Sequence, residues 1–317
     1  MTRRHSGNAP RASAATPARR RLEEPIPLFG AHLSIAGGVH RAVERAREMA
    51  VDCLQLFLKS PSQWRFAALT DEEVARFRSR AAEADLAPLV GHASYLLNLA
   101  GPDGALYERS RVCALGEWDR AERLGLDYFV LHPGAHMGSG EAAGLARIAL
   151  ALDWLHAARP GRRCRILLET TAGAGTTMCG RMEHLRYLVQ SCEAGARLGV
   201  AIDTCHLFAA GYDLRTAAAI DDTLGRLNDA VGLQRALVVH ANDARGALGS
   251  GLDRHEHIGR GSIGRKAFRL LVHHPALARL PFILETPKHD ARGREMDPVN
   301  LRMLRRLARS PAGRGQM

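Results

Sequence analysis

Residues 165–206 read RILLETTAGAGTTMCGRMEHLRYLVQSCEAGARLGVAIDTCH. Two short apolar runs in this stretch, Arg165 to Glu169 and Val200 to Asp203, each end in a carboxylate, and a longer segment separates them. A strand-length apolar run, a helix-length connection and a second run form the pattern of a βα unit in a parallel sheet. The pattern recurs in both directions, at Pro27 to His32, Cys53 to Leu58, Pro88 to His92, Tyr128 to His132, Leu237 to His240 and Phe282 to Glu285. Helical period lies between the runs: Val39, Val43, Ala46 and Ala50 share one face, and Thr70-Asp71-Glu72-Glu73 reads as a capping box. Eight such units in 317 residues predict an α/β fold, a (β/α)8 TIM barrel rather than an open sheet. No linker-like segment interrupts them. A single domain is expected over 26–309, between a disordered basic tail at 1–25 and a frayed end at 310–317.

Composition bounds the function classes. A hydrophobic content of 46% suffices for a sizeable core. No window approaches the roughly 18 to 20 uncharged apolar residues of a membrane span, so a soluble protein is expected. The formal net charge is +11, and Lys59, Lys266 and Lys288 are the only lysines, so the positive charge is almost entirely guanidinium. That planar group matches phosphate, which points to a polyanionic partner; an arginine-rich codon bias gives the same composition. The tail carries Arg3, Arg4, Arg11, Arg19, Arg20 and Arg21 with no acidic residue before Glu23, a composition shared by transit peptides. Six scattered cysteines without a C-x-x-C pair argue against a disulfide scaffold or a thiolate zinc knuckle and fit a reducing cytoplasm.

The last six strand candidates each end in a group able to bind a metal ion: His92, His132, Glu169, Asp203, His240 and Glu285. Their separations of 40, 37, 34, 37 and 45 residues are each about one βα unit. In such a barrel the C-terminal strand ends converge on one mouth, so the six would meet there. His206 lies where a loop after Asp203 can fold its imidazole back, and Asp253 and His255 flank Arg254 on one side of an extended segment. Nine imidazole and carboxylate donors without thiolate suit catalytic Zn²⁺ or Mn²⁺, and the histidine content tilts the choice to zinc. Any one of them alone reads equally well as a hydrogen-bonded structural group. His32 ends a strand too and reads as a residue behind the site or facing phosphate. His136, His156, His184, His273 and His274 read as surface or packing residues. The segment from Thr171 to Gly175 is a loop and no dinucleotide fingerprint. Trp64, Tyr95 and Leu96 are packing plugs on mouth loops or groups offered to a partner.

Several motifs together resemble the endonuclease IV family of apurinic/apyrimidinic (AP) endonucleases. They are Gly30-Ala31-His32-Leu33-Ser34, His92-Ala93-Ser94-Tyr95-Leu96-Leu97-Asn98, Asp203-Thr204-Cys205-His206, His240-Ala241-Asn242-Asp243, Asp253-Arg254-His255 and Leu284-Glu285-Thr286-Pro287. The resemblance covers nearly everything but the tails. It implies three zinc ions per chain and cleavage of double-stranded DNA on the 5′ side of an abasic site, leaving a 3′-hydroxyl and a 5′-deoxyribose phosphate. By the same resemblance His92, His132 and Glu169 hold the first ion. Glu169 bridges to a second, completed by Asp203, His240 and Glu285, while His206, Asp253 and His255 hold the third. Two zinc ions sharing a water would acidify it from about 15.7 towards 7, and no side-chain nucleophile is needed. Tyr95 and Leu96 match residues that enter the helix at the damage, and Arg65 and Arg254, with Arg245 and Arg260, would supply phosphate contacts. No protein partner is implied, and a monomer is expected. One departure stands out: Ser62, in Lys59-Ser60-Pro61-Ser62-Gln63-Trp64-Arg65, occupies the place of the family's inserting arginine. Two other readings share parts of this pattern. A sugar isomerase or epimerase would use Glu169, Asp203, His240 and Glu285 but not the other five donors, and a DNA-binding barrel without turnover would have no need of intact ligands.

Overall fold

The computed structural model describes residues 26–310; the basic tail expected at 1–25 and, apart from Ser310, the frayed end expected at 310–317 lie outside them. Ten strands form in chain order: β1 Leu28–Leu33, β2 Cys53–Phe57, β3 Leu89–His92, β4 Tyr128–Leu131, β5 Arg165–Glu169, β6 Gly199–Asp203, β7 Ala236–His240, β8 Asp243–Ala244, β9 His255–Glu256 and β10 Pro281–Leu284. Eight close into a parallel barrel in the order β1-β10-β7-β6-β5-β4-β3-β2, and β8 and β9 pair as a short antiparallel ribbon above it. The helices are α1 Val39–Glu48, α2 Asp71–Glu83, α3 Gly104–Leu124, α4 Glu141–Ala158, α5 Met182–Ser191, α6 Thr204–Ala209, α7 Ala217–Val231, α8 Gly264–His273 and α9 Asp297–Arg309. The barrel read from the sequence is the barrel observed. Among the described residues no helix is long and apolar enough to cross a membrane.

Alternation along each strand divides the core in two. Outward residues such as Phe29, Leu54, Leu56, Phe129, Leu131, Ile166, Leu168 and Phe282 are buried against the helices. Each contributes about 1.5–3 kcal/mol by leaving water. Inward residues Cys53, Val90, Val130, Leu167, Ala201, Val238 and Ile283 form a separate wholly buried cluster that plugs the barrel. Because side chains repeat with period two, the next inward position on each strand lies one layer nearer the mouth. Those positions are Gln55, His92, His132, Glu169, Asp203, His240 and Glu285.

Three local expectations need correction. Ala50 does not lie on the inner face of α1, since the helix stops at Glu48, and Ala50 is exposed with φ 48° where the chain turns into β2. His132 and Glu285 stand one residue beyond β4 and β10, because the ladders close at Leu131 opposite Leu168 and Leu284 opposite Ala31. His206 is carried by a helix and not a loop: Asp203 caps α6, its Oδ1 accepting from the His206 amide at 2.7 Å. The capping box is as read, with Thr70 Oγ1 accepting from the Glu73 amide at 3.1 Å and Glu73 Oε2 from that of Thr70 at 2.8 Å. His156 and His184 are buried packing residues.

Gly30 lies opposite Cys53 in the β1–β2 ladder, and a Cβ there would collide with the carbonyl oxygen and sulfur of Cys53. We expect Gly30→Ala to destabilise the chain by about 1–3 kcal/mol, read as a lower urea midpoint at unchanged slope. An unchanged midpoint would mean that the strands separate freely.

Candidate metal centre

Nine side chains meet at the mouth in overlapping groups. His92, His132 and Glu169 form one, Glu169, Asp203, His240 and Glu285 a second, and His206, Asp253 and His255 a third; ligand atoms within each group lie within 4.8 Å of one another. Glu169 is common to two of them and wholly buried. Its Oε2 faces His92 Nε2 at 3.0 Å and His132 Nε2 at 2.9 Å, and its Oε1 faces His240 Nδ1 at 3.0 Å and His206 Nδ1 at 3.3 Å.

The imidazoles are oriented from behind. His92 Nδ1 bonds the Ala93 carbonyl at 2.7 Å, His206 Nδ1 that of Thr170 at 2.8 Å and His255 Nδ1 that of Glu285 at 3.1 Å. Each anchor turns Nε2 to the other side of the ring. For His206 and His255 that nitrogen is buried without a hydrogen-bond partner, 3.2 Å and 3.7 Å from Asp253 Oδ1. Buried imidazole nitrogens without partners, aimed at carboxylates, are the donor set that a divalent cation requires, and a set dominated by imidazole and carboxylate fits zinc in a catalytic setting. Cys205 forms a further group with Asp203 and His255, and without metal, burial, then the charge of Asp203, pushes its thiol up to about 12. Its Sγ lies 3.6 Å from the Arg254 carbonyl.

Sequence reasoning passed over two polar residues inside this layer. Gln55 is wholly buried on β2 and bonds both His240 and Glu285. Asn242 donates to Asp203 Oδ2 at 2.6 Å and accepts from the Glu285 amide at 2.9 Å. The signal for Gln55 was available, since it is the one amide in an otherwise apolar run, on the inward phase set by Cys53.

Beside the metal groups lies a cavity of about 430 Å³ bordered by His92, His132, Phe57, Tyr95, Leu96 and Leu106. Tyr95 is 67% exposed at its lip, so it is no packing plug, whereas Trp64 is half-buried with the guanidinium of Arg109 stacked 4.4 Å from its ring centre. Ser62, Arg65 and Arg254 are all exposed, the first two on the loop after β2 and the third between Asp253 and His255. His32 is half-buried, with Nδ1 3.3 Å from Glu285 Oε1 and its ring centre 5.9 Å from that of His92. The two loops at the lip share an anchor below the surface. Lys59 and Glu117 pair at 3.3 Å, Lys59 Nζ donates to the Gln63 carbonyl at 2.5 Å, and Glu117 accepts from the Ser94 amide and hydroxyl at 2.9 and 2.7 Å.

Fold and mouth together define the class, a (β/α)8 barrel of the xylose isomerase-like kind, whose family model matches residues 43–307. Within that class the likeness narrows. A probable endonuclease 4 of Chloroflexus aggregans is 46% identical over 289 residues, 90% of this chain and 100% of that protein. The crystal structure of endonuclease IV from Thermus thermophilus superposes with a TM-score of 0.78 at 39% identity, covering 89% of this chain and 98% of that one. A D-tagatose 3-epimerase-like protein shares the fold at 18% identity and a TM-score of 0.67, covering 89% and 96%. The chain belongs to the endonuclease IV family.

Burial disfavours protonation of His240, yet the carboxylates of Glu285 and Glu169 lift it to about 9. Glu285 is held well below the usual carboxylate range against its own burial, first by the charge of His240. A raised imidazole contributes stability below its unfolded value of 6.5 that is lost as pH climbs through the folded value near 9. His32, which burial holds neutral down to about 4, acts oppositely and costs stability below 6.5. The chelated protein should therefore melt highest near pH 6.5 and lower on either side. Zinc should reverse the alkaline trend, because metal competes with protons for the same lone pairs. Thermal melts with and without chelator test this, and a flat metal-free profile would rule out the pairing of imidazoles with carboxylates.

Proposed function

We propose that this chain is a cytoplasmic, monomeric AP endonuclease of base excision repair, hydrolysing double-stranded DNA on the 5′ side of abasic sites with three zinc ions. The observation that carries this reading is the set of three donor groups, two of them sharing Glu169, beside a cavity with an exposed aromatic at its lip. A sugar isomerase would be served by Glu169, Asp203, His240 and Glu285 alone; His206, Asp253 and His255 are surplus to it. We assign His92, His132 and Glu169 to the first ion, Glu169, Asp203, His240 and Glu285 to the second, and His206, Asp253 and His255 to the third. When bound, the ions supply an acidified water and neutralise charge on the phosphodiester.

The chain's own residues do the rest. Glu169 keeps the first two groups in register, because each of its oxygens serves a different one. Tyr95 and Leu96 fill the space beside the abasic nucleotide, which has no base to unstack and so leaves the helix at lower cost than an intact one. Arg65 and Arg254 bind the flanking phosphates.

Glu169→Gln should lose turnover on an abasic oligonucleotide while retaining DNA affinity, since it removes a charge shared by two groups and leaves the lip intact. Cleavage at the wild-type rate with metals retained would refute the assignment, and a fully active chain holding one ion would favour the isomerase reading. At the lip, Ser62→Arg should tighten binding to abasic duplex, and Tyr95→Ala should weaken it about 5- to 150-fold with much less effect on intact duplex. Equal losses on both duplexes would remove Tyr95 from damage recognition.

A further inference from the structure

We infer that Gln55 is a positioning residue that sets which nitrogen of His240 faces the metal site, by holding that ring in the Nε2–H tautomer. The inference rests on the reading of His240 as a metal donor. His92, His206 and His255 are each anchored through Nδ1 by a backbone carbonyl. His240 is turned the other way round. Its Nδ1 points into the centre, 3.0 Å from Glu169 Oε1 and 3.3 Å from Glu285 Oε2, and its Nε2 points away. The group behind Nε2 is a side chain, Gln55 Oε1 at 2.8 Å.

The direction of that contact follows from the groups at the other end of the amide. Gln55 Nε2 lies 2.5 Å from Glu285 Oε1. An ionised carboxylate only accepts, so the amide must present its NH₂ there. A flipped amide would set its carbonyl against the carboxylate, two acceptors at hydrogen-bond distance. With the NH₂ committed to Glu285, the carbonyl is left for His240, and a carbonyl only accepts. The proton of neutral His240 therefore resides on Nε2, and the lone pair resides on Nδ1, facing Glu169, Asp203 and Glu285. One wholly buried amide thus orients two donors of the same group, His240 through its tautomer and Glu285 through its rotamer.

A residue that merely filled space on the inward face of β2 would do neither. The first test uses the full-length wild-type chain loaded with Zn²⁺. Long-range proton–nitrogen spectra of histidine-labelled protein should show His240 carrying metal on Nδ1 and a proton on Nε2, in contrast to His92 and His255, which carry metal on Nε2. Ligation of His240 through Nε2 overturns the proposal whatever any variant does. The second test uses Gln55→Met, which keeps length and burial but removes the hydrogen bonds to His240 and Glu285, together with that of Gln55 Nε2 to His32 Nδ1 at 3.0 Å. Competition against a zinc chelator should show one ion held about 10- to 100-fold more weakly, with the others unchanged. Unchanged affinity for every ion overturns the proposal. A wild-type chain that takes up no zinc overturns both this role and the proposed function, whereas zinc uptake with Nε2 ligation overturns the role of Gln55 alone.

Discussion

The mouth of this barrel is organised around one buried charge. Glu169 has no solvent exposure, and a carboxylate in that position persists as an anion only where close partners replace its hydration. Burial pushes it towards the neutral acid, but the imidazoles of His132 and His240 hold it well below the usual carboxylate range. Those imidazoles need partners of their own, and the need passes outward. His206 leans on the Thr170 carbonyl, His240 on Gln55, Gln55 on Glu285, and the main-chain amide of Glu285 on the side chain of Asn242. The same lone pairs accept protons or divalent cations, so an array that looks like a network of ion pairs is equally a set of ligands.

What the sequence revealed and what it hid divide along physical lines. The strand ends were legible because a donor two positions after an inward apolar residue, repeated once per βα unit, leaves a periodic trace. His206 was legible as a donor, although its support was misjudged, since a carboxylate that caps a helix and also faces its own third residue looks like a loop in the sequence. Gln55 and Asn242 left no trace of charge. The Lys59–Glu117 pair was invisible for a different reason: Glu117 lies mid-helix on α3, where an acidic residue ordinarily faces water, and only the packing of two loops against that helix reveals its burial. Tyr95 was undecided between plug and probe, and its exposure, which tertiary structure alone sets, separates it from Trp64.

The contrast between centre and lip is a contrast in constraint. Glu169 at the centre faces four imidazoles, so a change there leaves partners buried and unpaired. Ser62 makes a single contact of 3.3 Å with Ser60 on an exposed turn. The turn beneath it is held by Lys59 through the Gln63 carbonyl, so its shape does not depend on the side chain at the tip. The residue at the tip can therefore change without rebuilding the donor layer below it.

Alternation in the barrel strands has a consequence for how such a chain can change length. The plug residue and the donor of each strand are two positions apart, and both must face the axis. Insertion or deletion of one residue between Val238 and His240, or between Leu167 and Glu169, would keep the plug and turn the donor out among the helices. The strands are therefore written in a code with even parity, intolerant of single-residue frame slips. The βα loops carry no such parity, and that is where variation in length can accumulate among relatives that keep the same mouth.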